Sequence, residues 1–298
     1  MPELPEVENL RRGLERSVVG QKIKKVIVHK PKLVSGKGTI RSANKKKVQE
    51  FIVGLTGETF ISIERRAKNL LFKLSGDKLI LAHLKMSGQF AYEPTKGKKR
   101  MGGHPIELSE NSLPNKHSHI IFELTGGTLY YNDIRMFGYA LYFPSSSKFE
   151  KENHFGEYGA EPFSAEFSLS YFSKALKNKK SKIKSVLMGQ DIVTGVGNIY
   201  ADESLFEARI SPVRSADSLT KEEIKKLHKA IVRIMKKATE VGGSSVATYR
   251  LIDKSKGNYA REHKVYGKSG KMCVRCGKPL KTIQIQSRTT VFCPNCQV

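Results

Sequence analysis

Two groups of residues in this chain could do chemistry. Cys273-x2-Cys276 and Cys293-x2-Cys296, with 16 residues between the pairs, fit the two-knuckle spacing of a tetrahedral zinc site. Each pair would bite the metal from one tight turn, with Gly277 and Pro294 supplying turn geometry. Four thiolates leave no open position for water, so the expected ion is structural, and removing one cysteine should unfold a module of about 26 residues that cannot bury a core without it. The second group is Pro2-Glu3. If Met1 is trimmed, the mature chain begins with a secondary amine beside a carboxylate: a nucleophile able to form an iminium ion with an aldehyde-like carbon, next to an acid or base. The same two residues also suit a plain helix start, because Pro has no N–H to orphan and Glu meets the positive end of the dipole.

Composition narrows the setting. With 298 residues and 39% hydrophobic content the chain has room for two modest cores plus an appendage. Lys and Arg number 53 against 28 Asp and Glu, a net charge of +25, which points to a polyanionic partner without separating DNA from RNA or an anionic membrane surface. No run approaches the roughly 18 apolar residues of a membrane span, and the acidic start Pro2 to Glu8 is unlike a signal peptide. The expectation is a soluble, cytoplasmic protein whose thiols stay free for metal.

Other elements must position these residues. Leu4, Val7, Leu10, Leu14 and Val18 recur at helical spacing and Gly20 ends the pattern, so residues 3–18 are expected to be an amphipathic helix starting beside Pro2. From Lys24 to about Phe143 short alternating runs predict strands, among them Lys24–Val28, Asn69–Leu74, Leu79–Leu84, Ile120–Leu124 and Thr128–Tyr131. Ser75-Gly76-Asp77 and Thr125-Gly126-Gly127 serve as hairpin connections. The sum is a β-sandwich or barrel with an N-terminal helix. Residues 95–115, basic and then rich in Gly, Pro and Ser, read as a mobile loop inserted between strands, and residues 144–162 as a domain boundary. Helices are predicted over Ser168–Lys177, Ser181–Met188, Asn198–Ala208 and Leu219–Val241. The stripe Ile224, Leu227, Ile231, Ile234 and Ala238 of the last belongs to a core.

Gly195-Val196-Gly197-Asn198 lies just before one of these helices. Two glycines there let backbone N–H groups approach a phosphate at a helix N-terminus, with Asn198 adding a hydrogen bond and Lys177, Lys179, Lys180, Lys182 and Lys184 supplying charge upstream. A tight turn alone would also explain the pattern.

Pro2-Glu3-Leu4-Pro5-Glu6-Val7-Glu8, the segment from Gly195 to Glu203 and the terminal cysteine module, in that order and over essentially the whole chain, resemble the formamidopyrimidine-DNA glycosylase family. The resemblance implies an α+β multidomain fold. An N-terminal β-sandwich with an N-terminal helix spans 2–143, a linker 144–162, and a helical helix-two-turn-helix domain 163–264 with a lesion-covering loop at about 243–260; a C-terminal β zinc finger spans 265–298. It implies a monomer that excises oxidised purines (formamidopyrimidines, 8-oxoguanine) from damaged double-stranded DNA and cleaves the abasic site by β,δ-elimination. One structural Zn2+, no nucleotide cofactor and no membrane partner complete the expectation.

Residue roles follow from the resemblance. Pro2 nitrogen attacks C1′ of the damaged nucleotide and Glu3 handles protons during ring opening and base loss; an α-amino group with a reference pKa of about 8 is partly neutral near pH 7, as attack requires. Lys68 in Arg65-Arg66-Ala67-Lys68-Asn69-Leu70 matches the family's hairpin lysine, which donates a proton in β-elimination, and Arg288 in Ser287-Arg288-Thr289-Thr290 its δ-elimination arginine. A flipped base leaves a hole, and Met86, Arg135 and Phe137 match the residues that fill it, while His117, Lys179 and Asn198 match phosphate contacts. Many relatives read Asp-Pro-Arg-Arg-Phe-Gly where this chain has Ile134 and Met136, one charge and one rigid turn residue fewer, which bears on opposite-base preference. Two rival readings stay open: a sister glycosylase for oxidised pyrimidines, and a non-catalytic zinc-ribbon DNA-binding protein that would leave a lesion-containing duplex uncut.

Overall fold

Leu4–Val18 form helix α1, with Pro2 and Glu3 ahead of it and Pro5 inside its first turn. The helix-start explanation therefore applies to Pro5, and Pro2 needs another. The computed structural model describes residues 1–38, 41–97, 100–103, 113–244 and 257–298. The chain divides into two compact units: Met1–Pro2, Glu6–His154 and Ser244–Gly257 in one; Glu3–Pro5, Phe155–Gly243 and Asn258–Val298 in the other.

The first unit is a pair of antiparallel sheets. β1 (Ile23–Val28), β7 (Ser118–Leu124), β8 (Gly127–Asp133), β5 (Gly88–Pro94) and β6 (Arg100–Gly103) lie in that order in one; β2 (Phe60–Arg66), β3 (Asn69–Leu74), β4 (Leu79–His83) and β9 (Tyr139–Phe143) form the other. Inward positions of both sheets carry rings. Phe72 of β3 meets Phe90 of β5 at 5.3 Å between centroids, Phe60 of β2 meets Phe122 of β7 at 6.4 Å, and Phe90 continues to Tyr131 at 5.0 Å. Full burial of each such side chain stabilises the fold by about 1.5–3 kcal/mol. Val7, Leu10, Leu14 and Val18 of α1 join the same core. This is a β-sandwich carrying an N-terminal helix.

Three features depart from expectation. Helices α2 (Lys32–Ser35) and α3 (Lys45–Leu55) interrupt the stretch whose sequence pattern predicts strands. Val48, Phe51, Ile52 and Leu55 pack at helical spacing against the core, and Asn44 caps α3 by accepting from Lys47 N. The supposed loop 95–115 contains β6, which pairs along β5 from Gln89↔Gly103 to Tyr92↔Arg100; the rest of its basic and Gly-rich stretch lies largely outside the described residues. The supposed linker 144–162 contains helix α4 (Ser146–Lys151), capped by Ser145, and a bridge from Ala160 to Val193.

The second unit is helical. α5 (Leu169–Leu176), α6 (Ile183–Met188), α7 (Asn198–Ala208) and α8 (Lys221–Glu240) surround a core that includes the α8 stripe Ile224, Leu227, Ile231, Ile234 and Ala238. Thr220 and Glu223 form a capping box at the start of α8. α7 is buried on almost every side, including Asp202, Glu203 and Ser204; Asp202 is met by Lys184 and Val291 N, and Glu203 by the N–H groups of Lys264, Val265 and Tyr266. The unit ends in a hairpin of β10 (Lys281–Ile285) and β11 (Arg288–Phe292).

Candidate functional site

The N-terminus of α7 is occupied by a side chain of the protein itself. Gly197 N donates to Glu3 Oε2 at 2.7 Å, Ile199 N to Oε1 at 2.9 Å and Tyr200 N to Oε2 at 3.4 Å. These are orphan donors at a positive helix end, a natural seat for a carboxylate. A Cβ at Gly197 would lie 2.5 Å from Glu3 Cδ, and one at Gly195 would lie 2.4 Å from Leu4 Cβ. The glycines expected to admit a phosphate to the backbone thus admit Glu3 and Leu4 instead. Gln190 fixes the loop between them, donating to Val196 O and accepting from Gly195 N.

Strand β11 is stitched to this region. Asn198 Nδ2 donates to Thr289 O at 3.0 Å, and Val291 N donates to Asp202 Oδ2 at 3.2 Å. Lys184, expected among the surface charges, is completely buried: its Nζ lies 2.7 Å from Asp202 Oδ1 and donates to Thr290 Oγ1 at 2.7 Å. Burial pushes the Lys184 pKa down, while Asp202 and Glu3 hold it up and Arg288 adds to the lowering. Burial raises the Asp202 carboxyl to about 7 against the opposing charge of Lys184. Burial also raises the Tyr266 phenol, with Glu3 adding to the rise and the nearby Asn198 amide opposing it. Glu3, Asn198 and Arg288 are therefore neighbours of Lys184, Asp202 and Tyr266. The last three were missed as site members: one lysine among many carries no signal of burial, and Asp202 is legible only as a charge on the inner side of a helix.

Arg288 is exposed at the first position of β11, directly after the left-handed pair Gln286 (φ 47) and Ser287 (φ 58), the geometry of a two-residue hairpin turn. Below it the four cysteines carry their Sγ atoms within 4.8 Å of one another, with Cys273 to Cys296 at 3.9 Å and Cys276 to Cys293 at 3.5 Å. Metal–sulfur bonds of about 2.3 Å in a tetrahedron put sulfurs roughly 3.8 Å apart, so this donor set fits Zn2+. Lys179, in contrast, is exposed and ion-paired with Asp191 at 2.7 Å.

The first unit groups the remaining candidates. Met86 lies half-buried in the turn between β4 and β5; Arg135 and Phe137 lie in the loop between β8 and β9, the guanidinium 4.6 Å from the ring centroid. Asp133 joins the two segments: Ser87 Oγ donates to its Oδ1 at 2.5 Å and Gly138 N to its Oδ2 at 2.7 Å, while Arg135 N donates to Ser87 Oγ at 3.0 Å. Only glycine fits at 138, where a Cβ would lie 1.8 Å from Tyr131 Oη. His117 O accepts from Asp133 N at 3.1 Å, which ties a fourth candidate to the same strand end.

Lys68 occupies the β2–β3 turn after Ala67 (φ 54), with its side chain buried to 6% exposure. Arg65 braces this turn, donating to Ala67 O and pairing with Glu8. Burial, then the charges of Lys85, Lys68 and Lys37, push buried His83 well below its ordinary pKa, so a neutral ring sits within a cluster of cations that would attract an anion. Glu6 accepts from Ser244 N at 2.7 Å at the entry of the expected lid; residues 245–256 of that lid lie outside the described residues.

Comparison with known proteins covers all of these regions. The formamidopyrimidine-DNA glycosylase N-terminal domain matches residues 1–140, the formamidopyrimidine-DNA glycosylase H2TH domain residues 158–250, and the zinc finger found in FPG and IleRS residues 270–298. The chain is 39% identical over 297 residues to the formamidopyrimidine-DNA glycosylase of Listeria monocytogenes and 35% identical over 298 residues to that of Desulfitobacterium hafniense, with 100% of each chain covered. Among solved structures, a Lactococcus lactis FPG variant in complex with a Fapy-dG containing DNA superimposes with a TM-score of 0.85 at 35% identity, and Lactococcus lactis Fpg with abasic site containing DNA with 0.84 at 34%, each covering 99% of both chains.

Proposed function

The chain belongs to the formamidopyrimidine-DNA glycosylase family, and from that premise we propose that it removes formamidopyrimidines and 8-oxoguanine from damaged duplex DNA and then cleaves the abasic strand through the amine of Pro2. The family is one of DNA glycosylases of base excision repair, and its four cysteines hold one structural Zn2+. The observation that carries the proposal is the seating of Glu3: a carboxylate bonded through the backbone to Pro2, held by three N–H groups beside Lys184, Asn198 and Arg288. The family's binding of Fapy-dG and abasic DNA in Lactococcus lactis supports the substrate class.

In this reading the lone pair of Pro2 nitrogen forms a bond to C1′ as the bond to the damaged base breaks, and Glu3 moves the protons that ring opening and base departure require. The resulting iminium withdraws electrons from C2′–H. Loss of that proton expels the 3′ phosphate, and a second elimination expels the 5′ phosphate. Lys68, in its cluster of cations, donates a proton and meets a phosphate in the first elimination; Arg288, on a turn fixed by the zinc-bound cysteines, meets the phosphate lost in the second. Four thiolates fill the metal's coordination sphere, so its contribution is to hold that turn.

Borohydride reduction during incubation with an 8-oxoguanine duplex should trap a covalent adduct at Pro2, and Pro2→Gly should lose most of it. Equal trapping in a chain whose N-terminus is blocked would overturn the mechanism. Excision of thymine glycol in preference to 8-oxoguanine would overturn the substrate class.

A further inference from the structure

The loop between β8 and β9 presents Arg135 and Phe137 outward, one exposed and the other half-buried, so core packing does not fix them and the backbone beneath must. Asp133 and Ser87 hold Arg135 N and Gly138 N. Between these anchors Met136 adopts φ 53, a left-handed conformation unfavourable for a residue with a Cβ, and with Ile134 and Met136 the loop has no proline to restrain it. The missing restraint comes from a distant segment. Arg41 Nη2 donates to Met136 O at 3.1 Å and Gly138 O at 2.5 Å, the two carbonyls that bracket Phe137. Its other terminal nitrogen, Nη1, donates to Gly38 O at 2.9 Å and Gly36 O at 3.3 Å. One planar guanidinium therefore clamps two loops, a geometry the single ammonium of lysine does not reproduce.

We propose that Arg41 is a positioning residue for the wedge: by holding the carbonyls on either side of Phe137 it fixes how Arg135 and Phe137 meet DNA, and so sharpens discrimination of the base opposite the lesion. The inference rests on the proposed role of Arg135 and Phe137 in filling the space of a flipped base. Met136 packs against the core and Asp133 holds Gly138 N, and charge-assisted hydrogen bonds from Arg41 to the two carbonyls add the restraint on either side of Phe137.

The test is single-turnover excision of 8-oxoguanine placed opposite cytosine and opposite adenine. Arg41→Ala should lower the cytosine-to-adenine rate ratio about tenfold, equivalent to ~1.4 kcal/mol, with thermal unfolding monitored to confirm a folded chain. Arg41→Lys, which keeps the charge, should restore little of the ratio. In a Phe137→Ala background the Arg41 substitution should have almost no further effect, because coupled residues are non-additive. A native chain that leaves the lesion in place overturns the glycosylase reading and this inference with it. A native chain that excises, with an unchanged ratio in Arg41→Ala or full restoration by Arg41→Lys, overturns the Arg41 inference alone.

Discussion

Gly197 and Glu3 touch in a way that only glycine allows: the N–H of one lies 2.7 Å from the carboxylate of the other, and a methyl group at 197 would lie 2.5 Å from Glu3 Cδ. The Gly197 backbone is extended (φ −132, ψ −153), open to any residue, so the constraint comes from proximity and not from backbone strain. Gly197→Ala should therefore fold and displace the carboxylate. A misplacement near 1 Å costs on the order of 100-fold in rate, and the expected result is that loss in single-turnover base excision with a melting temperature close to that of the unaltered chain. Unaltered excision would sink the assignment of Glu3.

The buried pair Lys184–Asp202 should respond asymmetrically. Asp202→Ala leaves an uncompensated charge in the core and should destabilise the helical unit by roughly 3–5 kcal/mol, whereas the joint replacement Lys184→Met with Asp202→Leu should recover much of that loss. Thermal melts of the two variants and the unaltered chain decide it; equal melting of the single and joint variants contradicts it.

Metal removal should act on one hairpin. Cys276→Ser, or prolonged chelation, should release the ion and loosen the β10–β11 turn that carries Arg288. The expected product shifts from two eliminations to one, read on a denaturing gel as a sugar remnant in place of a phosphate at the 3′ end of the upstream fragment, with metal content measured alongside.

His263 should make stability fall in acid. Burial first, then Lys268, lower its pKa from 6.5 to about 4. Between those values the unfolded chain holds the proton and the folded chain does not, so this contribution is complete above pH 6.5 and is lost as the pH falls toward 4, on the order of 3 kcal/mol in total. Asp202, raised to about 7, acts in the opposite sense between about 7 and 3.8, so the informative quantity is the difference between the native chain and His263→Gln. Denaturant unfolding at pH 7 and pH 5 should show a shallower acid loss in the variant, and parallel curves would count against the argument.

Periodicity and spacing made much of this molecule legible. The α8 stripe, the α7 boundaries and the four-cysteine module follow from repeats of 3.6 and from paired ligands, which are local signals. Glu3 was readable as a chemical group, but its seat was not, because the bond to Gly197 joins residues 194 positions apart. The helix α3 was hidden among strand-like runs because Phe51, Val53 and Leu55 also alternate with period 2, although Val48, Phe51, Ile52 and Leu55 carry the helical spacing. Arg41 and Lys184 were hidden for a different reason: in a chain with 53 basic residues, only tertiary contact separates a structural cation from a solvated one.

The Asp133 carboxylate, which binds both Ser87 and Gly138, has a mechanical consequence. Met86 belongs to the turn on one side of that carboxylate, and Arg135 and Phe137 to the loop on the other. Their bases are joined by bonds of 2.5–3.0 Å, so a chain that inserts them into a helix inserts them as one body. If the three side chains enter a duplex as proposed, inspection of a base pair would engage them together, because their backbones share one carboxylate.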